Sequence, residues 1–289
     1  YGSYAELAAD EGVDVVYIGS THNDHYDSAV LCLEAGKAVL VEKPLTVSAA
    51  QGEELVELAR SRGVFLMEAV WTRTNPLIRK AVELVKSGEL GAVRHVSASF
   101  GFAFDGDESH RLLDPGQAGG AILDLGVYPV HGVNLFLGEP EQVLGYGSHA
   151  STGVDSHAAA LLTYPPTDGR TAATASVLCT MEATVPTRLE VFCSDGQVSI
   201  DNFIRPAEMS VFRGNDRTEG PEGFITQWPG GGYTFEAQEV MRCLRAGETE
   251  SPLVPWADTL AGLRTLDRWR AAVDAGAGVA AGATLGADR

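Results

Sequence analysis

Two short segments gather side chains that could do chemistry. The first is Gly19-Ser20-Thr21-His22-Asn23-Asp24-His25, with hydroxyl, imidazole and carboxylate groups in seven consecutive positions. The second is Glu42-Lys43-Pro44, an acid and an ammonium followed by a rigid ring. Each comes directly after an apolar, β-branched run, Val13–Gly19 and Ala38–Val41. Side chains at the carboxyl ends of parallel strands face the crevice where α/β sheets bind ligands. The groups at the first strand end also suit anionic ligand groups at a helix start. Taken singly, each segment has a plainer reading. Glu42-Lys43 could be a surface turn, and His22 and His25 could be polar groups that open a helix.

The elements that would carry these segments follow from periodicity. Apolar runs over Val13–Gly19, Ala38–Val41 and Val64–Met67 predict strands covered on both faces. Between and after them, Asp24–Glu34, Ser48–Arg62 and Pro76–Lys86 show helical spacing. Ser48 can cap the second helix and Gly63 can end it, Pro76 opens the third, and Gly36 and Gly88 follow the first and third. Alternating strands and helices imply a parallel sheet with right-handed crossovers. After Gly91 the pattern changes to long alternating stretches: Val93–Phe104, Gln142–Ala150, Ala158–Tyr164, Thr171–Thr180, Arg188–Phe192 and Gln197–Ile200. These predict a largely antiparallel sheet. Helices are expected at about Gly120–Leu137, Phe235–Arg245 and Trp256–Asp274, with a frayed Ala/Gly-rich tail from Ala275. The fold class is therefore α/β: a nucleotide-fold unit over residues 1–91, then an α+β unit over 92–289 with a large open sheet.

Composition narrows the function. The 289 residues carry 21 Lys and Arg against 39 Asp and Glu, a formal charge of −18. Nucleic acid and anionic membrane both select basic surfaces, so neither is expected as a partner. The longest apolar-looking stretch, Gly119–Gly138, contains Asp124 and His131, which argues against a membrane span. Cys32, Cys179, Cys193 and Cys243 lie far apart in apolar segments, which suits buried thiols in a reducing, cytoplasmic setting and gives no metal-site spacing.

Together the segments resemble one family, the glucose-fructose oxidoreductase/inositol dehydrogenase (Gfo/Idh/MocA) family, and within it the dihydrodiol and NADP-dependent D-xylose dehydrogenase branch. The matching residues are Glu42-Lys43-Pro44, Phe65–Arg73, Ala118–Tyr128, Tyr233–Val240 and Glu250–Pro255, in the family's order over nearly the whole chain. The resemblance implies a Rossmann unit, a nicotinamide cofactor (NADP or NAD) and an α+β substrate unit. It makes Lys43 the lysine that meets cofactor and substrate. It places Tyr128 at the family's acid/base position and Asp124, four residues before it on one helix face, where it orients a substrate hydroxyl or Lys43. His131 could share that face. A phenol is a poor base near neutral pH, and the Lys43 ammonium is expected to lower the Tyr128 pKa. Ser20, Thr21, His22, His25, Glu42, Lys43, Trp71 and Arg73 are the expected cofactor-binding residues, although packing alone would also account for Trp71.

The chain departs from the family pattern in two ways. Its three parallel strands correspond to the second half of a 3-2-1-4-5-6 sheet, and no glycine-rich GxGxxG turn lies within the 289 residues. The expectation is of a longer protein, or of a chain that binds a dinucleotide poorly, with the Val13–Gly19 edge uncovered. After Trp71-Thr72-Arg73 stand Thr74 and Asn75 in place of two aromatics, which shifts the expected substrate from an arene diol toward a sugar or polyol. The function expected is hydride transfer between the cofactor and a secondary or anomeric hydroxyl of a sugar, polyol or vicinal diol. Two alternatives are a non-catalytic sugar-binding scaffold and a nicotinamide-retaining glycosidase or epimerase. Apolar residues on both faces of Ala158–Leu162 point to a homodimer or higher homo-oligomer.

Overall fold

A computed structural model describes residues 1–167, 169–214, 220–227 and 229–282. A short helix α1 (Tyr4–Ala9) leads into β1 (Val15–Ile18), α2 (His25–Glu34), β2 (Ala38–Glu42), α3 (Ala49–Arg62) and β3 (Leu66–Ala69). The three strands pair in parallel in the order β1-β2-β3. The alternation within β2 shows why an unbroken apolar run is needed. Val39 and Val41 pack with Leu33 and Leu55 on one face, while Ala38 and Leu40 pack on the other against Val240 and Cys243. Ser48 caps α3 through its hydroxyl and Gly63 ends it in the left-handed region, as its sequence requires. β1 is the sheet edge, with Val15 and Tyr17 partly exposed.

Next come α4 (Trp71–Thr74), α5 (Pro76–Lys86) and β4 (Val93–Gly101). A five-residue π-helical turn (Ile122–Gly126) then runs directly into α6 (Val127–Leu137). The remaining strands are β5 (Gln142–His149), β6 (Asp155–Tyr164), β7 (Ala173–Thr180), β8 (Val185–Cys193), β9 (Gly196–Asp201), β10 (Glu208–Arg213) and β11 (Glu222–Ile225). Among the described residues they form an eight-stranded sheet in the order β11-β10-β9-β8-β4-β7-β6-β5. All pairings are antiparallel except β4 with β7. One face buries Val96, Ala98, Ala158, Leu162, Val177, Leu189 and Val191 against α6 and its π turn. The Pro115–Leu137 run is long and apolar enough by composition to cross a membrane, but most of it is buried inside the protein here.

The last helices pack back on the parallel sheet. α7 (Thr234–Ala246) lies on the parallel sheet, through Val240 and Cys243. α8 (Trp256–Gly282) starts on that sheet, with Trp256 and Leu263, and continues across the larger one, with Leu266, Trp269 and Val273. Both layers therefore share a buried seam. The helix continues past Ala275, where the sequence predicted fraying, to Gly282; the remainder of the tail lies outside the described residues. All four cysteines are free and buried.

Candidate active site

The carboxyl ends of β1, β2 and β3 open into a cavity of about 370 Å³. Its lining includes Ser20, Thr21, His22, His25, Glu42, Lys43, Trp71, Asp124 and Tyr128. The loop after β1 and the loop after β2 thus meet the helix that follows the paired glycines. Those glycines are needed for the approach. A Cβ on Gly119 would stand 2.6 Å from the carbonyl oxygens of Arg111 and Leu112, and Gly120 has φ +123°. The π turn after them is pinned by the Ile122 N–H, which donates to Asp155 Oδ2 at 2.6 Å. π turns widen a helix and turn side chains out of register, and they concentrate at functional sites.

Asp124 is the electrostatic centre. Its Oδ1 accepts from Lys43 Nζ at 3.2 Å and Arg111 Nη1 at 3.0 Å, and lies 3.4 Å from His22 Nε2. Lys43 Nζ also donates to the Asp124 carbonyl at 2.9 Å. Burial alone would raise the Asp124 carboxyl. The Lys43 ammonium, the His22 hydrogen bond and the Arg111 guanidinium outweigh it and hold the group far below its ordinary range. Tyr128 sits beside this cluster, its ring centroid 5.2 Å from Lys43 Nζ.

Here the structure corrects an expectation. The Tyr128 phenol is raised well above its ordinary value, not lowered. Burial is the largest cause, and the Glu42 and Asp124 carboxylates add to it, against an opposing hydrogen bond with Trp71. Lys43 lies over the ring, and its hydrogen bonds go to Asp124. In this arrangement Tyr128 is a firmly protonated donor.

Two further residues differ from their expected places. Arg73 does not line the cavity. It is buried between the layers, where Nε donates to the Leu253 carbonyl at 3.0 Å and Nη2 pairs with Asp258. Arg73 stands two positions past Trp71 in the helical turn α4, so it faces away from the cleft that Trp71 lines. His131 does not share the Tyr128 face. Its Nε2 lies 3.3 Å from Glu68 and its Nδ1 3.5 Å from Arg73, in the same sealed seam. His25 lines the cavity, but its two nitrogens face the Pro44 carbonyl at 2.9 Å and the Ser20 carbonyl at 3.2 Å. Burial holds its pKa down, and the neutral ring donates its one N–H to one of these two carbonyls.

The sequence reading assigned no role to three residues of the cavity wall: Tyr17, Arg111 and Tyr233. Tyr17 donates to Glu42, and Tyr233 stacks on Trp71 with ring centroids 4.7 Å apart. Tyr233 stood in a family-like segment but carried no spacing signal, and Arg111 is a lone cation in a loop.

The lining fits the nicotinamide end of a dinucleotide. Ser20 Oγ is buried with no hydrogen-bond partner, the kind of donor a ribose hydroxyl or carboxamide satisfies. The Trp71–Tyr233 stack offers a flat apolar wall for a planar ring. Among the described residues no cluster of three or more metal-ligating side chains exists.

Comparison with known proteins agrees with this geometry. Residues 1–70 match the oxidoreductase family with an NAD-binding Rossmann fold, and residues 78–199 match the GFO/IDH/MocA C-terminal domain. The chain is 39% identical over 267 residues to trans-1,2-dihydrobenzene-1,2-diol dehydrogenase of Mus musculus, covering 90% of this chain and 77% of that protein. It is 36% identical to the D-xylose 1-dehydrogenase (NADP(+)) of Hypocrea jecorina, over 92% of this chain and 74% of that one. Among solved structures it resembles aldose-aldose oxidoreductase from Caulobacter crescentus complexed with glycerol, with TM-score 0.84 and 25% identity over 96% of this chain and 82% of that one. A 3-ketoreductase from Actinomadura kijaniata in complex with NADP and TDP-benzene superposes with TM-score 0.79 and 26% identity, over 94% of this chain and 82% of the other. The chain belongs to the Gfo/Idh/MocA family of NAD-binding Rossmann-fold oxidoreductases.

Proposed function

We propose that this oxidoreductase uses NADP and interconverts a secondary or anomeric hydroxyl of a sugar, polyol or vicinal diol with the corresponding carbonyl. The observation that carries the reading is Lys43 Nζ set between the Asp124 carboxylate and the Tyr128 ring, in one cavity at the strand ends. The named relatives favour NADP and this substrate range. The nicotinamide supplies or accepts the hydride. Every proton is handled by the chain. In carbonyl reduction the Tyr128 hydroxyl donates its proton to the developing alkoxide. In alcohol oxidation the proton returns to the Tyr128 oxygen, and the Lys43 ammonium is the cation placed to stabilise the phenolate. Asp124 holds Lys43 and accepts a hydrogen bond from the substrate.

The same reading includes a cytoplasmic homodimer. The outer face of the large sheet exposes Leu144, Tyr146 and Leu161, which supports self-association. Light scattering at micromolar concentration should return twice the chain mass; a monomer would remove this part. The functional test is a panel of aldoses, polyols and vicinal diols with NADP⁺ and NAD⁺, read at 340 nm. Turnover with NADP⁺ on at least one sugar or diol is expected. Cofactor binding without turnover across the panel would contradict the reading.

A further inference from the structure

The Lys43 turn and the Tyr128 helix come from opposite layers of the molecule, so something must fix their separation. One buried side chain touches structure on both sides. Glu68, on β3, has no side-chain exposure. Its Oε1 accepts the Leu45 N–H at 2.9 Å, two residues past Lys43. Its Oε2 accepts the Thr259 hydroxyl at 2.9 Å and lies 3.3 Å from His131 Nε2, three residues past Tyr128 on α6. Arg73 can only donate, so its 3.5 Å contact makes His131 Nδ1 the acceptor and puts the ring hydrogen on Nε2, facing Glu68. A sealed carboxylate is stable only when its lone pairs are met, and here three donors from three separate elements meet them.

We propose that Glu68 and His131 are positioning residues, a buried clamp that sets Lys43 against Asp124 and Tyr128 across the two layers. Neither touches the cavity. Their influence runs through the Leu45 backbone on one side and α6 on the other. The proposal rests on the catalytic reading of Lys43 and Tyr128, and its test separates the two.

Glu68→Gln isolates the link. Glutamine keeps an oxygen for the Leu45 N–H but turns an NH₂ toward the hydrogen of His131 Nε2, so the turn stays held and the helix contact fails. Because misplacement of reacting groups by about 1 Å can cost 10²-fold, kcat should fall about 10- to 100-fold, with KM and the NADP dissociation constant changed less than about twofold. A second readout needs no substrate. The acylation rate of Lys43 by a limiting amine reagent, normalised to Lys80 and Lys86 by mass spectrometry, should rise severalfold well below the melting temperature. His131→Gln and Thr259→Val give the same readouts should Glu68→Gln fail to fold, with His131→Gln the larger. A lowered melting temperature with unchanged kcat and unchanged Lys43 acylation overturns the clamp and leaves a purely structural network. An inactive wild-type enzyme whose variants still show faster Lys43 labelling would instead overturn the catalytic reading and keep the clamp.

Discussion

One helix carries two charged clusters with opposite fates. On the cavity side, Asp124 gathers Lys43, Arg111 and His22, and Arg111 remains about half exposed. On the other side, His131 joins Glu68, Arg73, Thr259 and Asp258 in a seam where Glu68, His131 and Arg73 are each less than 5% exposed. The first cluster leaves donors pointing into an open volume, and two cations and an imidazole face a single carboxylate oxygen. The second has nearly every polar atom matched. Charge alone does not mark a catalytic site. What separates the two is whether the partners are complete without a ligand.

Removing the cavity cation should have the largest effect. Lys43→Ala takes away both the Asp124 partner and the phenolate counter-charge, and should lower kcat/KM by about 10³-fold with little loss of melting temperature. Lys43→Arg should be nearly as poor, since a planar fork cannot occupy the place of a compact ammonium beside the Tyr128 ring. Retention of most activity by Lys43→Arg would reduce Lys43 to a local counter-charge. Arg111→Ala should act more weakly, raising KM about tenfold at nearly constant kcat, because Lys43 and His22 still hold Asp124. A fall in kcat equal to that of Lys43→Ala would show the two cations to be one unit.

The sealed cluster should answer in stability. Asp258→Asn leaves the Arg73 guanidinium with a weaker partner. Breaking a fully buried pair costs about 3–5 kcal/mol. Asp258 is itself 40% exposed, so a loss of about 1–3 kcal/mol is expected by denaturant unfolding, with kcat unchanged. A pH-dependent effect should come from Glu236, near Glu42. Burial first, and the Glu42 charge second, push its carboxyl up to about 8. The unfolded chain ionises this acid near its ordinary value of 4.5, so the folded state binds the extra proton, and stability falls as pH rises from about 4.5 to 8. Glu236→Gln should therefore raise the melting temperature at pH 9 and leave it unchanged at pH 4. An equal shift at both pH values would mean that the carboxyl does not titrate in this window.

Much of the parallel sheet was legible, because strands buried on both faces must be continuous apolar runs and little else in a sequence looks like Ala38–Val41. The Lys43 turn was legible for a similar reason, since it needs particular residue types. β10 and β11 were not. Both are short; β10 alternates only over Glu208–Val211, and on β11 only Phe224 is better than exposed. The π turn was hidden because its anchor, Asp155, lies 33 residues away. His131 was misread through geometry. In a regular α-helix Asp124 and His131, seven residues apart, would lie only about 20° apart, and the π turn over Ile122–Gly126 takes Asp124 out of that register. Spacing showed that both lie near Tyr128 without showing that one faces the cavity and the other the seam. Arg73 failed likewise, since two positions past Trp71 in a helical turn put it on the opposite side from the cavity.

The central claim is that the Tyr128 hydroxyl handles the substrate proton. Tyr128→Phe keeps the ring, its edge contact with Phe100 and the Lys43 contact, and removes only the oxygen. The direct measurement is kcat/KM against pH in both reaction directions, with the melting temperature recorded alongside. A general acid–base group is worth about 10² to 10⁴ in rate. The account predicts a loss of that size in both directions, with the melting temperature and the NADP dissociation constant nearly unchanged. Full activity with a lowered melting temperature would contradict it and make Tyr128 a packed core aromatic.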